Sequence, residues 1–286
     1  MSTDTETRAD LDRRLADLAD RLRRLGSVMV AFSGGADSAF LLAAAVRALG
    51  ADRVVAATAV SPSLPEAEFV AARDFAAGLG VRHVTPGTNE LARDGYRANA
   101  GDRCYFCKSE LLDTLSPLLA GTGVAHVATG TNSDDAVAGF RPGIRAAAER
   151  GAVTPLRDAG LTKTQIRTAS RDWGLSTWDK PAAACLSSRI AYGVEVSRDG
   201  LVRVARAETY LRSRLPDAGI ATRNLRVRDL GADHAKIEVD AEWVDALAAR
   251  PDLLSGLDDF TTVTVDPRGF RSGAMNELLP DPEKYR

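Results

Sequence analysis

Three groups of residues in this chain carry chemistry that packing alone does not require. The first is Ser33-Gly34-Gly35-Ala36-Asp37-Ser38, where two glycines are flanked by hydroxyls and a carboxylate. Glycine permits backbone conformations and close approaches that a side chain blocks. With serine donors beside it and a helix opening behind it, such a loop suits an anion of phosphate type. It is neither the Gly-x-x-x-x-Gly-Lys-Ser/Thr loop nor the Gly-x-Gly-x-x-Gly fingerprint.

The second group is the cysteines, Cys104 and Cys107 in Cys104-Tyr105-Phe106-Cys107, and Cys185. A pair at this spacing serves as half a zinc site, as a redox dithiol, or as nothing beyond packing. The chain has three cysteines and no fourth, and its three histidines, His83, His126 and His234, do not flank them at zinc-site spacing. Three thiolates can hold a [4Fe–4S] cluster and leave one iron open to a small ligand such as hydrosulfide. The count favours that cluster; the dithiol stays open beside it.

The third group is charged. Asp134 and Asp135 follow a short apolar run in Thr129-Gly130-Thr131-Asn132-Ser133-Asp134-Asp135. Hard oxygen ligands suit a Mg²⁺ that would accompany a bound phosphate, while a turn and helix cap would use the same residues. Lys163 and Arg167 lie one helical turn apart, placed to grip phosphates if they face a nucleotide and a solvated basic edge if they do not. Arg226 and Arg228 alternate, so a strand would project both from one face.

The elements that must position these residues are legible in outline. Leu11, Leu15, Leu18, Leu22 and Leu25 fall at helical spacing, which predicts an amphipathic helix over residues 5–25. Val28 to Phe32 reads as a strand running into the Gly-Gly loop, and Ala39 to Leu49 as the helix after it. Strands are expected at 53–60, 81–85 and 124–128, with helices at 65–79, 109–119 and 162–173. This alternation implies an α/β fold with a parallel sheet and right-handed crossovers. Ligands in such sheets sit beyond the carboxyl ends of the strands, where both the Ser33–Ser38 and the Asp134–Asp135 loops fall. After about residue 186 the order changes to a helix at 199–215, strands at 224–228 and 235–239, a helix at 241–249 and a strand at 261–265. That is a smaller α+β unit, so residues 1–185 and 186–286 are expected as two domains.

Length agrees, since 286 residues suggest about two domains. A 45% hydrophobic fraction provides for a real core. With 37 basic against 39 acidic residues the net charge is −2, which does not suit a wide grip on nucleic acid. The first residues lack a signal-peptide core and no apolar stretch approaches membrane-spanning length, so no membrane partner and a cytoplasmic location are expected.

Ser33 to Ser38 matches Ser-Gly-Gly-x-Asp-Ser and resembles the pyrophosphate loop of the N-type ATP pyrophosphatases, the PP-loop superfamily that includes NAD synthetase and the tRNA thiolases. The resemblance implies an adenine nucleotide alpha hydrolase-like domain that binds ATP through Ser33, Gly34, Gly35, Asp37 and Ser38 and splits it between the α and β phosphates. Further segments resemble the LarE family, from about residue 27 to 276: Phe140-Arg141-Pro142-Gly143, Lys180-Pro181-Ala182-Ala183-Ala184-Cys185-Leu186-Ser187-Ser188-Arg189, Arg226-Val227-Arg228, Ala235-Lys236-Ile237-Glu238 and Gly269-Phe270-Arg271-Ser272-Gly273. LarE proteins are ATP-dependent sulfurtransferases that build the nickel-pincer nucleotide cofactor. Their substrate is pyridinium-3,5-biscarboxylic acid mononucleotide, whose carboxylates become thiocarboxylates. Carried over, the resemblance makes Cys104, Cys107 and Cys185 the sulfur centre, with a separate sulfide donor. It makes Ser187, Ser188, Arg189, Glu208, Arg226 and Arg228 the substrate site, Glu208 being the weakest because an exposed helix carboxylate is the default for its position. It also suggests a homo-oligomer, hexameric in form. Some members sacrifice the sulfur of a single cysteine near Ser-Ser-Arg; this chain resembles the three-cysteine branch, although Cys185 stands where that single cysteine does. A PP-loop tRNA thiolase and a non-catalytic nucleotide and iron–sulfur sensor share parts of the pattern, and the net charge weighs against the thiolase.

Overall fold

The structure is a computed structural model that describes residues 2–137, 142–181 and 185–279. Phe140, Arg141 and Ala182 to Ala184 of the motifs above lie outside the described residues.

Four short parallel strands form the first sheet: β1 (Val28–Ala31), β2 (Val54–Ala57), β3 (Arg82–Val84) and β4 (His126–Thr129), in the order β3-β2-β1-β4. Every residue of β1 and β2 is buried, as the unbroken apolar runs require of strands covered on both faces. Alternation sends Val28 and Val30 into one core with α1 (Ser2–Leu25) and α2 (Ala36–Leu49), and Met29 and Ala31 into the opposite one with Leu112, Leu115 and Val127. In α1, Leu11, Leu18 and Leu22 are the buried members of the leucine series. Parallel pairing obliges a crossover, supplied between β1 and β2 by α2 and between β2 and β3 by α3 (Glu66–Gly78). Because β1 pairs with β2 on one side and β4 on the other, the chain changes direction at β1, and a crevice opens beyond its carboxyl end.

The second sheet pairs β5 (Arg226–Asp229) antiparallel to β6 (His234–Glu238) and β6 parallel to β7 (Thr262–Val265). The helix Arg198–Arg214 starts at Ser197, whose hydroxyl accepts from Gly200 N at 3.0 Å. It lays Leu201, Val204 and Leu211 onto Val227 and Ile237 in a third core, which also takes in Tyr96 from the first half of the chain.

The strand expected over 53–60 covers only Val54–Ala57, helices at Pro142–Glu149 and Pro155–Asp158 have no counterpart in the sequence expectation, and two expected helices differ in extent. The helix expected over 109–119 begins at Arg103 and ends at Leu115, and a separate helix covers Leu118–Thr122 beyond Pro117, which cannot continue a helix. Cys104 and Cys107 therefore sit in its first turn, three residues apart on one face. The stretch 241–249 splits into a 3₁₀ turn, Ala241–Trp243, and the short helix Val244–Ala248. The segment before the cysteines is tied across to the second unit. Buried Asn99 donates to Ala191 O at 2.7 Å and Val194 O at 2.8 Å, and its positive φ of 50° is one that asparagine tolerates better than most residues.

Candidate active site

The Ser-Gly-Gly loop is shaped from within and from behind. Gly34 has φ of 71°, and a Cβ there would lie 3.2 Å from Ala72 Cβ of α3. Ser33 and Ser38 hydroxyls lie 3.1 Å apart, and Ser38 Oγ donates to Gly35 O at 3.1 Å. Gly130, at the end of β4, packs on the loop so tightly that a Cβ would stand 2.9 Å from Ser38 N. Gly35 caps α2 without a side-chain hydrogen bond, so the amino end of the helix meets the crevice with Asp37 in its first turn.

A cavity of about 470 Å³ opens over this loop, within the range of sites that hold a small molecule. Ser33, Gly35, Asp37 and Ser38 form one wall and Cys107 and Cys185 are part of another. The loop and two of the three thiols, distant in sequence, thus share one chamber, while Cys104 is not among the residues that line it. Asp135, Lys163 and Arg167 line it as well. Asp134 does not: it turns to accept Lys163 N at 2.8 Å and caps the helix Lys163–Asp172. Neighbouring residues on a helix point about 100° apart, so one aspartate faces the cavity while the other faces away.

Asp37 is the strained group of the chamber. Burial raises its carboxyl above the ordinary aspartate value, with Lys163 opposing and Asp135 adding to the shift. Asn132 donates to its Oδ2 at 3.3 Å, and its buried Oδ1 has no hydrogen-bond partner among the described residues. An orphaned carboxylate oxygen near a second carboxylate fits Mg²⁺, which takes one or two carboxylates and completes its shell with phosphates and water. Among the described residues no group of three His, Cys, Asp or Glu could hold an ion unaided. Asp37 and Asp135, together with a nucleotide, are the fitting set.

The thiols keep company with cations. Desolvation pushes the half-buried Cys107 thiol well up, and the neighbouring protein raises Cys104 against the pull of Arg103 although Cys104 keeps an exposed face. Burial also lowers the Lys108 ammonium, with the two thiols opposing. Cys185 Sγ lies 2.9 Å from Ser187 Oγ. Each of Cys104 and Cys107 feels Cys185 electrostatically, so the three form one neighbourhood. Three thiols from two segments beside Arg103 and Lys108 suit a cluster whose thiolates bring negative charge, and the corner ligands of a cubane stand farther apart than those of a single ion.

Several cavity residues escaped the sequence reading. Lys180 reaches back across the loop, donating to Gly34 O at 3.0 Å and Glu68 Oε2 at 2.6 Å. Glu90 is buried against the cavity and accepts from Thr88 Oγ1 at 2.8 Å. The only local signal for Lys108 and Arg103 was a basic residue adjoining a cysteine.

The residues carried over for substrate divide in two. Ser188, Arg226 and Arg228 line a second cavity of about 140 Å³, with Phe270 and Ser272 opposite. Burial and the neighbouring Arg189 push the Arg226 guanidinium down to about 10, while Arg228 pairs with Glu238 at 2.6 Å. Ser187, Arg189 and Glu208 line neither cavity and are buried behind them. Glu208 is not the exposed carboxylate its helix position suggested. It takes Arg189 through two bonds of 2.8 and 3.0 Å and accepts Val227 N at 3.1 Å, joining the Ser-Ser-Arg turn to β5. Removing one partner strands the other charge, so Glu208→Ala is expected to cost about 3–5 kcal/mol. Urea unfolding checks it, and an unchanged midpoint would mean that the pair is solvated and holds nothing.

No protein-family model matches the chain. It is 40% identical over 274 residues to an uncharacterised protein of Synechocystis sp., covering 94% of this chain and 99% of that one. It is 35% identical over 274 residues to the pyridinium-3,5-bisthiocarboxylic acid mononucleotide synthase of Lactiplantibacillus plantarum, covering 95% and 96%. Argininosuccinate synthase of Halobacterium salinarum is 33% identical over 151 residues, 48% of this chain and 37% of that enzyme. Two matches over nearly full length, one to a synthase of known product, join a parallel sheet with a Ser-Gly-Gly-x-Asp-Ser loop at its crevice: the chain belongs to the LarE family.

Proposed function

We propose that the protein is an ATP-dependent sulfurtransferase. It adenylates a carboxylate of pyridinium-3,5-biscarboxylic acid mononucleotide and exchanges oxygen for sulfur there, a step in making the nickel-pincer nucleotide cofactor. The observation that carries this reading is the single cavity shared by the Ser33–Ser38 loop, Cys107 and Cys185.

A carboxylate resists acyl transfer because its oxygen leaves poorly. In the first step its oxygen attacks the α-phosphorus of ATP, the bond to the β-phosphate oxygen breaks, and pyrophosphate departs. The loop's part is positioning, with Ser33 and Ser38 hydroxyls and the amino end of α2 aimed at the phosphates. Lys163, Arg167 and Lys180 stand around the same space to offset charge on the leaving pyrophosphate. Mg²⁺ held by Asp37 and Asp135 would neutralise phosphate charge. In the second step sulfide sulfur attacks the acyl carbon, the carbon–oxygen bond to AMP breaks, and a thiocarboxylate remains. A [4Fe–4S] cluster on Cys104, Cys107 and Cys185 would supply that sulfide at the cavity wall. Ser188, Arg226 and Arg228 hold the substrate's phosphate.

The test is pyrophosphate release and mass analysis of the product with ATP, the mononucleotide and sulfide under anaerobic conditions. Stoichiometric pyrophosphate and the oxygen-to-sulfur mass gain are expected. Absence of both with a reconstituted cluster would favour a sensor, and tight, salt-sensitive filter binding of tRNA would favour a thiolase.

A further inference from the structure

Arg103 is a buried cation whose charge is favoured by the Cys185 and Cys104 thiols and by no carboxylate among the described residues. It is 5% exposed. Its Nη1 donates to two neutral acceptors, Asn99 Oδ1 at 2.5 Å and Ser187 O at 2.8 Å, and its guanidinium lies 5.5 Å from the centre of the Tyr192 ring. Tyr96 and Tyr192, which sense its charge, are both pushed up by burial and stay neutral. A buried guanidinium without an anion costs several kcal/mol. That cost is recovered if an anion enters beside it.

The space for that anion is the 140 Å³ cavity, which Arg103 lines together with Arg226 and Arg228. Among the described residues no aspartate or glutamate lines it. The volume lies below the roughly 300–1,000 Å³ that a whole ligand occupies, so it takes one group of a larger molecule. Guanidinium forks match the oxygens of a phosphate monoester. Arg103 differs from the other two in what lies behind it. Its Nη1 holds Ser187 O, and Ser187 Oγ touches Cys185 Sγ, which faces the larger cavity. Ser188 faces the small cavity, three residues from Cys185. The turn 185–188 therefore separates a phosphate-sized pocket from the sulfur chamber.

We propose that Arg103 is the inner arginine of this phosphate-monoester pocket and a positioning residue for the reaction. It binds the substrate's phosphate on one side and fixes the Cys185 turn on the other, so that the span between phosphate and thiol selects a nucleotide over its dephosphorylated form. The identity of the phosphate as the substrate's own rests on the function proposed above; the pocket does not.

The probe is inorganic phosphate, added to the full-length protein in thermal unfolding and calorimetric titration without ATP or substrate. The unsubstituted protein is expected to bind it and gain stability. Arg103→Met is expected to bind it about 10- to 100-fold more weakly, the loss of a charged hydrogen bond, and to gain less thermal stability from added phosphate than the unsubstituted protein does. Arg103→Lys restores charge without the fork and recovers part of the affinity. If Arg103→Met does not fold, the lysine variant carries the test through its weakened titration. Equal phosphate binding by the unsubstituted protein and both variants, or none by any, overturns the proposal. Failure of the functional reading is separate: phosphate binding dependent on Arg103 would persist while pyrophosphate release did not occur.

Discussion

Replacing Asp37 with asparagine is expected to stabilise the nucleotide-free protein at neutral pH while lowering ATP-dependent adenylation by about 10²-fold or more. The two effects have one cause. Burial raises this carboxyl, so the folded state holds its ionised form at a cost, and Oδ1 has nothing to bond among the described residues. A group raised on folding adds stability below its unfolded value and loses it as pH climbs through the folded value. At neutral pH the aspartate is therefore a liability that neutral asparagine lacks. The gain of Asp37→Asn is expected at pH 7 and should vanish as pH falls below the ordinary aspartate value of 3.8, where both side chains are neutral. Thermal midpoints across that range, with pyrophosphate release measured beside them, check both halves. A variant less stable at pH 7 would mean that Asp37 serves the fold, not a bound cation.

The loop that carries Asp37 is readable in sequence because the elements that form it are local. The apolar run Val28–Phe32, the two glycines and the Ala/Leu-rich stretch after them lie side by side, and β1, the loop and α2 form where they predict. The leucine series of α1 is equally self-contained. What escaped depends on distant partners. Glu208 looks solvent-facing on its helix until Arg189, 19 residues earlier, and Val227 N close on it. Lys180 acquires its place only by crossing 146 residues to Gly34. Arg103 is harder still, because its burial beside thiols, with no carboxylate partner among the described residues, is a property of every segment packed around it. The start of the cysteine helix was missed for a local reason: Cys104, Tyr105, Phe106 and Cys107 are indifferent helix formers, and the helix is held by Leu112 and Leu115 packing further along.

The largest effect is expected from Cys185→Ala, which should lower thiocarboxylate formation by a factor on the order of 10³ or more while leaving substrate-dependent pyrophosphate release within a few fold. The separation follows from geometry. Cys185 lines the ATP cavity, but the hydrogen bonds of its side chain and carbonyl go to Ser187, Ser188 and Arg189, and none goes to the Ser33–Ser38 loop. Losing the thiol leaves the adenylating half intact. Cys104→Ala and Cys107→Ala then discriminate the source of sulfur. Desolvation raises the half-buried Cys107 thiol, which serves a reactive dithiol poorly, whereas metal ligation removes the proton outright. If a cluster delivers sulfide, all three variants lose the broad brown absorbance after anaerobic reconstitution and all three lose repeated turnover. If Cys185 gives up its own sulfur, the other two variants retain one turnover, and the unsubstituted protein loses the mass of H₂S at Cys185. Intact-protein mass after a single cycle decides between them, since the first route leaves Cys185 unchanged and the second leaves dehydroalanine in its place.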